Sequence, residues 1–344
     1  MKSLEKHKWH VCVRCFTFNQ APYIIDTMDG FTQQTTDFPY VCCIVDDAST
    51  DGEQEIIKKY IMENFEKPDS RFSYIEQKEY GTLFFVRHKI NPNCYFTVVL
   101  LEQNHTGNQE LKKKKRGYIA DWEEFSRYEA ICEGDDYWCD NNKLQKQVDF
   151  LETHPEYSLC FHAAYFRQNL ADTFTFYQPF KKDCDISFQQ IVMGGGMFCP
   201  TPSIIYRSKD YFEMPDVFRH QHVGDYPLQI YLASKGLVRY MASPMCVYRV
   251  ASQNSWTQRM KKTKIETIIS KEEKLLTEID HYFSLNYHSI FQRRELLYKY
   301  QMYYGIEDYI NAFSYAKQMM SKGMNVPLRQ LARMLLYKFQ HSIH

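Results

Sequence analysis

Apolar and polar positions in the first third of the chain alternate between strand-like and helix-like spacing. His10 to Phe16 is an apolar run that reads as a buried strand. Asn19-Gln20-Ala21-Pro22 then opens a helix to about Gln33, with Asn19 as cap and Pro22 in the first turn. Tyr40 to Val45 is a second strand of β-branched, Cys and Tyr residues. It stops at Asp46-Asp47-Ala48-Ser49-Thr50-Asp51-Gly52, a turn of carboxylates and small side chains. Glu53 to Phe65 repeats Ile56, Ile57, Tyr60 and Ile61 on one helical face, and Phe72 to Ile75 reads as a short strand. Strand, helix, strand, helix, strand is the signature of a parallel α/β sheet.

Residues 78–127 are less regular. Tyr95 to Leu101 reads as a strand, Lys112 to Arg116 as a solvated loop and Tyr118 to Arg127 as a helix. Tyr128 to Cys132 is a strand that runs straight into Glu133-Gly134-Asp135-Asp136, and Asp140 caps a helix to about Glu152. Strands are expected near 157–166, 200–206 and 238–249, with a helix from Pro227 to Ser234. From Met260 the pattern is helical, broken at Gly323 and Pro327. These readings predict a catalytic domain over 1–258 and a helical extension over 259–344.

Charge narrows the function. Lys plus Arg and Asp plus Glu both number 42, so the net charge is zero and a nucleic-acid partner is not expected. The 11 Cys lie scattered in apolar runs and read as reduced thiols of a cytoplasmic protein. The charged start, Met1 to Lys8, has no apolar core of a signal peptide, and no run is long enough for a membrane span. Membrane contact, if any, is expected to be peripheral. Cys12-Val13-Arg14-Cys15 has zinc-site spacing but lies on a buried strand with no matching second pair. Gly194-Gly195-Gly196 follows a helix rather than a strand, as a helix stop or a flexible acceptor-side loop.

The candidate chemistry sits in two acidic clusters, Asp46-Asp47 and Glu133-Gly134-Asp135-Asp136, each at the end of a buried strand. In an open parallel sheet those ends face the ligand crevice. Carboxylate oxygens suit Mg2+ or Mn2+ bridged to substrate phosphates. The first cluster, acceptor-only, could instead take the N–H edge of uracil or guanine. The plain alternatives are helix caps at Ser49, Asp51 and Asp140 and a chance acidic doublet.

Together these motifs resemble glycosyltransferase family 2. Thr17-Phe18-Asn19-Gln20 with Pro22-Tyr23-Ile24 resembles its opening, and Val45 to Gly52 resembles its Val-Asp-Asp-x-Ser-Thr-Asp-Gly stretch. Glu133-Gly134-Asp135-Asp136-Tyr137-Trp138, followed by Lys143 to Val148, resembles the segment carrying its Asp-x-Asp metal motif. Gly224-Asp225 resembles the site of its base, and Tyr248-Arg249 a late Tyr-Arg motif. The resemblance covers about residues 9–256 and is closest to bacterial members that build surface polysaccharides.

It implies a GT-A-like nucleotide-diphospho-sugar transferase sheet flanked by helices, with a C-terminal α-helical extension. It further implies inverting transfer of a sugar from a nucleoside diphosphate-sugar, UDP-sugar favoured, to a hydroxyl of a glycan or lipid-linked acceptor. Thr17 and Asn19 would border the nucleotide and Asp46 and Asp47 hold its base. Glu133 and Asp135 would hold Mn2+ or Mg2+, with Asp135 the direct ligand. Asp136 would support the metal or donor sugar, Asp225 would be the catalytic base, and Arg249 would meet the diphosphate. The implied location is cytoplasmic, with peripheral contact at the inner face of the cell membrane as an option. Three departures stand out: Glu133 replaces the first Asp, Val250-Ala251-Ser252 offers no His after the late Arg, and Asn104-His105-Thr106-Gly107 only weakly resembles the Asn-x-Gly segment.

Two other classes compete. A nucleotidyltransferase or phosphohydrolase would need a second full set of metal ligands, and a non-catalytic glycan-binding relative would have lost Asp225 or Asp135. In the extension, Leu328, Leu331, Leu335, Leu336 and Phe339 recur at helical spacing, with Arg329, Arg333 and Lys338 mostly on other faces. Such a helix lies in a membrane interface or packs on the protein's own core or a second subunit.

Overall fold

A computed structural model describes residues 8–67, 69–70, 73–105, 109–168, 171, 173–250 and 263–341. The chain divides into two compact units, one of Met1–Ser187, Gly196–Met214 and Tyr231–Arg259, the other of Phe188–Gly195, Pro215–Ile230 and Met260–His344.

The first unit is built on a mixed sheet. Its strands are β1 (Trp9–Thr17), β2 (Tyr40–Asp46), β3 (Asp69–Ser70), β4 (Ser73–Lys78), β5 (Gly81–Arg87), β6 (Cys94–Leu101), β7 (Ser126–Ile131), β8 (Tyr137–Trp138), β9 (Tyr157–Gln168), β10 (Phe174–Tyr177), β11 (Cys184–Ile186), β12 (Ile205–Arg207) and β13 (Leu237–Val250). Helices in chain order are α1 (Ile24–Thr32), α2 (Glu53–Asn64), α3 (Gln109–Gly117), α4 (Ala120–Glu124), α5 (Lys143–Thr153), α6 (Phe188–Gly194), α7 (Ser208–Phe212), α8 (Asp216–Arg219), α9 (Asp225–Lys235), α10 (Ile265–Tyr282), α11 (His288–Gly305), α12 (Tyr309–Ser321) and α13 (Leu328–His341). The strand order is β11-β13-β9-β12-β7-β1-β2-β6-β5-β4-β3, and the run β7-β1-β2-β6 is parallel. The expected α/β sheet flanked by helices, followed by a helical C-terminal region, is present.

Alternation along β1 and β2 explains why both strands are largely apolar on both faces. Val11, Val13, Cys15, Cys42 and Ile44 face a core shared with Met28 and Phe31 of α1 and Ile57 of α2. Cys12, Val41, Cys43 and Val45 face a second core with Leu83, Phe85 and Ile119. A sheet covered on both faces buries both alternating sets. The cysteines of Cys12-x-x-Cys15 are free and buried on opposite faces, as packing residues.

Residues 78–127 depart from the sequence reading. β5 had no counterpart in it; the strand returns antiparallel from β4 through a turn at Glu79 and Tyr80 and pairs with β6. Lys112 to Arg116 was expected as a loop and lies within helix α3. The solvation argument fails at the last two residues, where Arg116 bonds Glu123 at 3.0 Å and Glu129 at 2.6 Å and Lys115 reaches Asp47 at 3.2 Å, while Lys114 is exposed as expected. The helix expected over 118–127 is the short α4, and β7 begins at Ser126.

In the second unit, Phe188 of α6 packs against Phe283, Tyr287 and Phe291. α6 ends where Gly195 takes φ +71°, so the glycine run acts as a helix stop. α11, α12 and α13 enclose a core of Leu296, Tyr300, Ala312, Ala316, Met319 and Met334. No helix among the described residues is long and apolar enough to cross a membrane.

Candidate functional site

Three adjacent parallel strands, β2, β1 and β7, deliver the sequence-predicted residues of the first unit to one edge. Thr17 ends β1, Asp46 ends β2, and Glu133 lies two residues beyond β7.

Asn19 does not cap α1, which begins at Ile24 without a side-chain cap. It takes φ +54°, a left-handed conformation that Asn tolerates better than most residues. From there its N–H donates to Ser49 Oγ at 2.8 Å, and its Oδ1 accepts from Thr50 N at 2.8 Å. Asn19 therefore laces the loop after β1 to the loop after β2. Glu53, which the motif reading passed over, is the hub of the same lacing. Its fully buried carboxylate bonds Thr17 Oγ1, accepts from Gln20 N at 2.8 Å and from Ser49 Oγ at 2.9 Å. Burial pushes its pKa up to about 7, against the pull of those donors.

Asp46 and Asp47 are both fully buried. Asp46 Oδ1 accepts from Ser49 N at 3.0 Å and Gln54 Nε2 at 2.5 Å, while its Oδ2 is buried without a hydrogen-bond partner among the described residues. Burial raises its pKa, opposed by the Ser49 bonds. Asp47 Oδ1 accepts from His105 N at 2.7 Å, and its Oδ2 lies 3.2 Å from Lys115 Nζ. Asn104 Nδ2 donates to the Asp47 carbonyl at 2.9 Å, which gives the weak Asn104–Gly107 resemblance a physical role; Thr106 and Gly107 lie outside the described residues. Lys115 also stands over the Phe16 ring at 5.0 Å.

The second acidic loop is held from below. Thr27 Oγ1 donates to the carbonyls of Gly134 at 3.0 Å and Asp136 at 2.6 Å. A Cβ on Gly134 would meet Thr17 Oγ1 at 2.2 Å, so glycine is required here by the approach of Thr17. Glu133 is one-third exposed (34%); its Oε2 accepts from Phe16 N at 3.2 Å, and Arg14 Nη1 lies 3.8 Å from its Oε1. Burial of the carboxyl raises its pKa, with Arg14 opposing. Arg14 is itself anchored by Glu129 at 2.9 Å, the same carboxylate that holds Arg116. Asp135 is partly exposed, whereas Asp136 is buried and accepts from Arg249 N at 2.7 Å. Burial, then the neighbouring Asp135, pushes the Asp136 pKa well up.

Arg249 turns inward with a fully buried side chain. Its guanidinium bonds Asp26 and the Asp135 carbonyl, the latter at 2.7 Å, and lies between the rings of Tyr23 and Tyr137 at 5.0 and 4.7 Å. Residues 251–252, where no His follows the late Arg, lie outside the described residues.

Asp225 belongs to the second unit. It is the first residue of α9, half-buried, and its Oδ1 accepts from Tyr226 N at 2.8 Å. Nearby in charge is Glu272, buried and 3.5 Å from Arg294, with its pKa raised by burial. The Asp225 charge contributes to that rise.

The donors at the second loop, Glu133 and Asp135, are hard oxygens of the kind Mg2+ and Mn2+ take. Among the described residues no group of three or more His, Cys, Asp or Glu is placed to hold a metal. The fit is that of an ion bound by one or two carboxylates and completed by a substrate's phosphates.

Comparison with known proteins speaks to the family and the fold. Residues 13–82 match the family model of glycosyl transferase family 2. That segment holds Thr17, Asn19, Asp46 and Asp47, and the family resemblance read from the motifs is borne out there. An uncharacterised protein of Mycobacterium tuberculosis (strain ATCC 25618 / H37Rv) is 28% identical over 243 residues, covering 70% of this chain. The chain spans only 58% of that relative's length. Among solved structures, S. aureus TarS superposes with a TM-score of 0.51 at 16% identity, over 94% of this chain and 50% of that one. The Pyrobaculum calidifontis mannosyltransferase PcManGT, in complex with GDP-Man and Mn2+, gives 0.49 at 14% identity, over 98% and 81%. The likeness to TarS shows the GT-A type of fold.

Proposed function

We propose that this chain is a glycosyltransferase that moves a sugar from a nucleoside diphosphate-sugar, a uridine one by preference, to a hydroxyl of a glycan or lipid-linked acceptor. The observation that carries the reading is the meeting of two unlike acidic loops at the carboxyl edge of β2, β1 and β7. One buries a carboxylate among N–H donors and a lysine, and the other leaves Glu133 and Asp135 partly open.

Asp47, with its shell of His105 N and Lys115, is assigned to the base, since a carboxylate is acceptor-only and suits an imide N–H. Thr17 and Asn19 border the nucleotide, and Asp46 and Glu53 hold that loop in shape. Glu133 and Asp135 would hold Mn2+ or Mg2+, which when bound supplies positive charge to a diphosphate leaving group. Asp136 and Arg249 act on the donor through the loop they fix. Asp225 is assigned as the base that takes the acceptor hydroxyl's proton. The hydroxyl oxygen attacks the anomeric carbon as the bond to the diphosphate oxygen breaks, inverting that centre in one displacement. The cellular role proposed is surface-polysaccharide synthesis on the cytoplasmic side.

The test is a thermal-shift screen of nucleoside diphosphates with Mn2+, followed by incubation with the sugar nucleotides of the base that binds. A ligand of the folded state raises the melting temperature by mass action. Sugar transfer with release of intact nucleoside diphosphate is expected. Release of nucleoside monophosphate or pyrophosphate would replace this reading with nucleotidyl or phosphoryl chemistry.

A further inference from the structure

The second unit ends in a segment whose charge differs from that of the whole chain. From residue 309 to residue 344 there are five basic residues, Lys317, Lys322, Arg329, Arg333 and Lys338, and no Asp or Glu. The 42 basic and 42 acidic residues of the whole chain cancel, so this segment's five positive charges offset a net acidic remainder.

α13 buries one side against the core of the second unit and leaves three of its leucines outside it. Gln330 accepts from Tyr300 Oη at 2.6 Å, Met334 is fully buried, and Tyr337 packs edge-on against Tyr309 at 5.2 Å. The leucine stripe read from the sequence is therefore split. Leu331 joins the core, the Phe339 side chain lies outside the described residues, and Leu328, Leu335 and Leu336 are exposed at 81%, 48% and 63%. At 3.6 residues per turn these three and exposed Ala332 form one outward strip, with Arg329 and Arg333 along one border and Lys338 along the other. Arg333 bonds Glu307 at 3.0 Å, and Ile306 and Ile310, on either side of that glutamate in sequence, are exposed at 55% and 64%. The strip thus continues beside the turn between α11 and α12.

Charge complementarity selects the occupant. A two-fold contact between copies would set this acid-free segment against itself and repel. Leucines between cations match instead an anionic bilayer surface, where the apolar strip enters the acyl boundary and the cations meet headgroup phosphates. We propose that α13 is a membrane-surface helix of this kind. The proposal stands apart from the catalytic reading, because neither its evidence nor its test involves the nucleotide site.

Co-sedimentation of the full chain with vesicles of phosphatidylcholine alone, or mixed with phosphatidylglycerol, tests it. The protein should pellet with the anionic vesicles, weakly with the neutral ones, and be released as salt screens the attraction. The pair Leu335→Ser with Leu336→Ser, and separately Arg329→Gln with Lys338→Gln, should each lower partitioning about tenfold. All of these side chains face solvent, so the thermal unfolding temperature should not move. The proposal is overturned if the chain stays in the supernatant with anionic vesicles, or if the leucine variant pellets like the parent. It is equally overturned if sedimentation velocity shows a dimer that the leucine variant dissolves, because the strip is then a protein–protein contact.

Discussion

The two acidic loops begin from similar material, adjacent carboxylates at the end of a buried strand, and use it in opposite ways. In the loop after β2 both aspartates are fully buried, and protein donors surround them before any ligand arrives. In the loop after β7 the burial is divided. Asp136 is spent on Arg249 and the backbone, and this leaves Glu133 and Asp135 to face outward. A carboxylate that must recognise an N–H edge is best held in fixed geometry in a dry pocket, where a hydrogen bond is strong. One that must share a cation with phosphates has to remain open to it. Adjacent acids in a motif can thus differ completely in burial and partners.

This contrast can be broken at four points. It gives binding to both loops and the proton to neither, so Asp225→Asn should cut turnover about 10²- to 10⁴-fold while donor affinity and melting temperature hold. A loss below about tenfold in steady-state kinetics would return the base role to one of the loops. Next, Asp135→Ala should cost about 10²- to 10³-fold in activity with the fold intact. Asp136→Ala should instead show mainly as lost stability, roughly 1.5–3 kcal/mol for a charged hydrogen bond. Reversal of that pattern in paired assays and denaturant melts would exchange the two residues.

A pH titration of stability sharpens the picture at Glu53. Its folded pKa of about 7 lies above the ordinary 4.5, so the folded state keeps a proton that the unfolded chain releases. Stability should therefore fall as pH rises from about 4.5 through about 7, by roughly 3 kcal/mol, and Glu53→Gln should flatten that slope. An unchanged slope in the variant would place the titration elsewhere. The smallest effect is expected at Asp47→Asn, where a lost charge-assisted bond of roughly 1.5–3 kcal/mol should weaken nucleotide binding about 10- to 100-fold. Calorimetry showing unchanged affinity would remove Asp47 from the pocket.

The sheet and both acidic loops were legible because apolar runs ending in carboxylates are a local signal, and β2 and β7 both carry it. What the sequence concealed depends on contacts between distant residues. Arg116 follows four lysines and reads as solvated, yet its anions are Glu123 and Glu129. Glu53 reads as an ordinary first-turn helix acid, and only the closeness of Thr17, Gln20 and Ser49 makes it a hub. β5 left one clue, Gly81 ahead of a run of apolar residues. The need for glycine at position 134 is steric, the Thr17 side chain filling the space of its missing Cβ, and no local pattern shows it. Arg249, expected from the motif at the diphosphate, has its charge engaged by Asp26, a pairing that no spacing rule would show.

Arg116, Glu129, Arg14 and Glu133 form a relay of alternating sign through the interior, from the helix that carries Lys115 to the outward-facing acid. Removing Glu129, fully buried between the two arginines, takes a partner from both in a dry environment, at a cost of roughly 3–5 kcal/mol. Single substitutions along the relay are therefore poorly tolerated, whereas coordinated replacement by neutral side chains of similar volume is far less costly. Over generations such positions should change in step or stay fixed, so an alignment of relatives should show Arg14 covarying with Glu129 and Arg116.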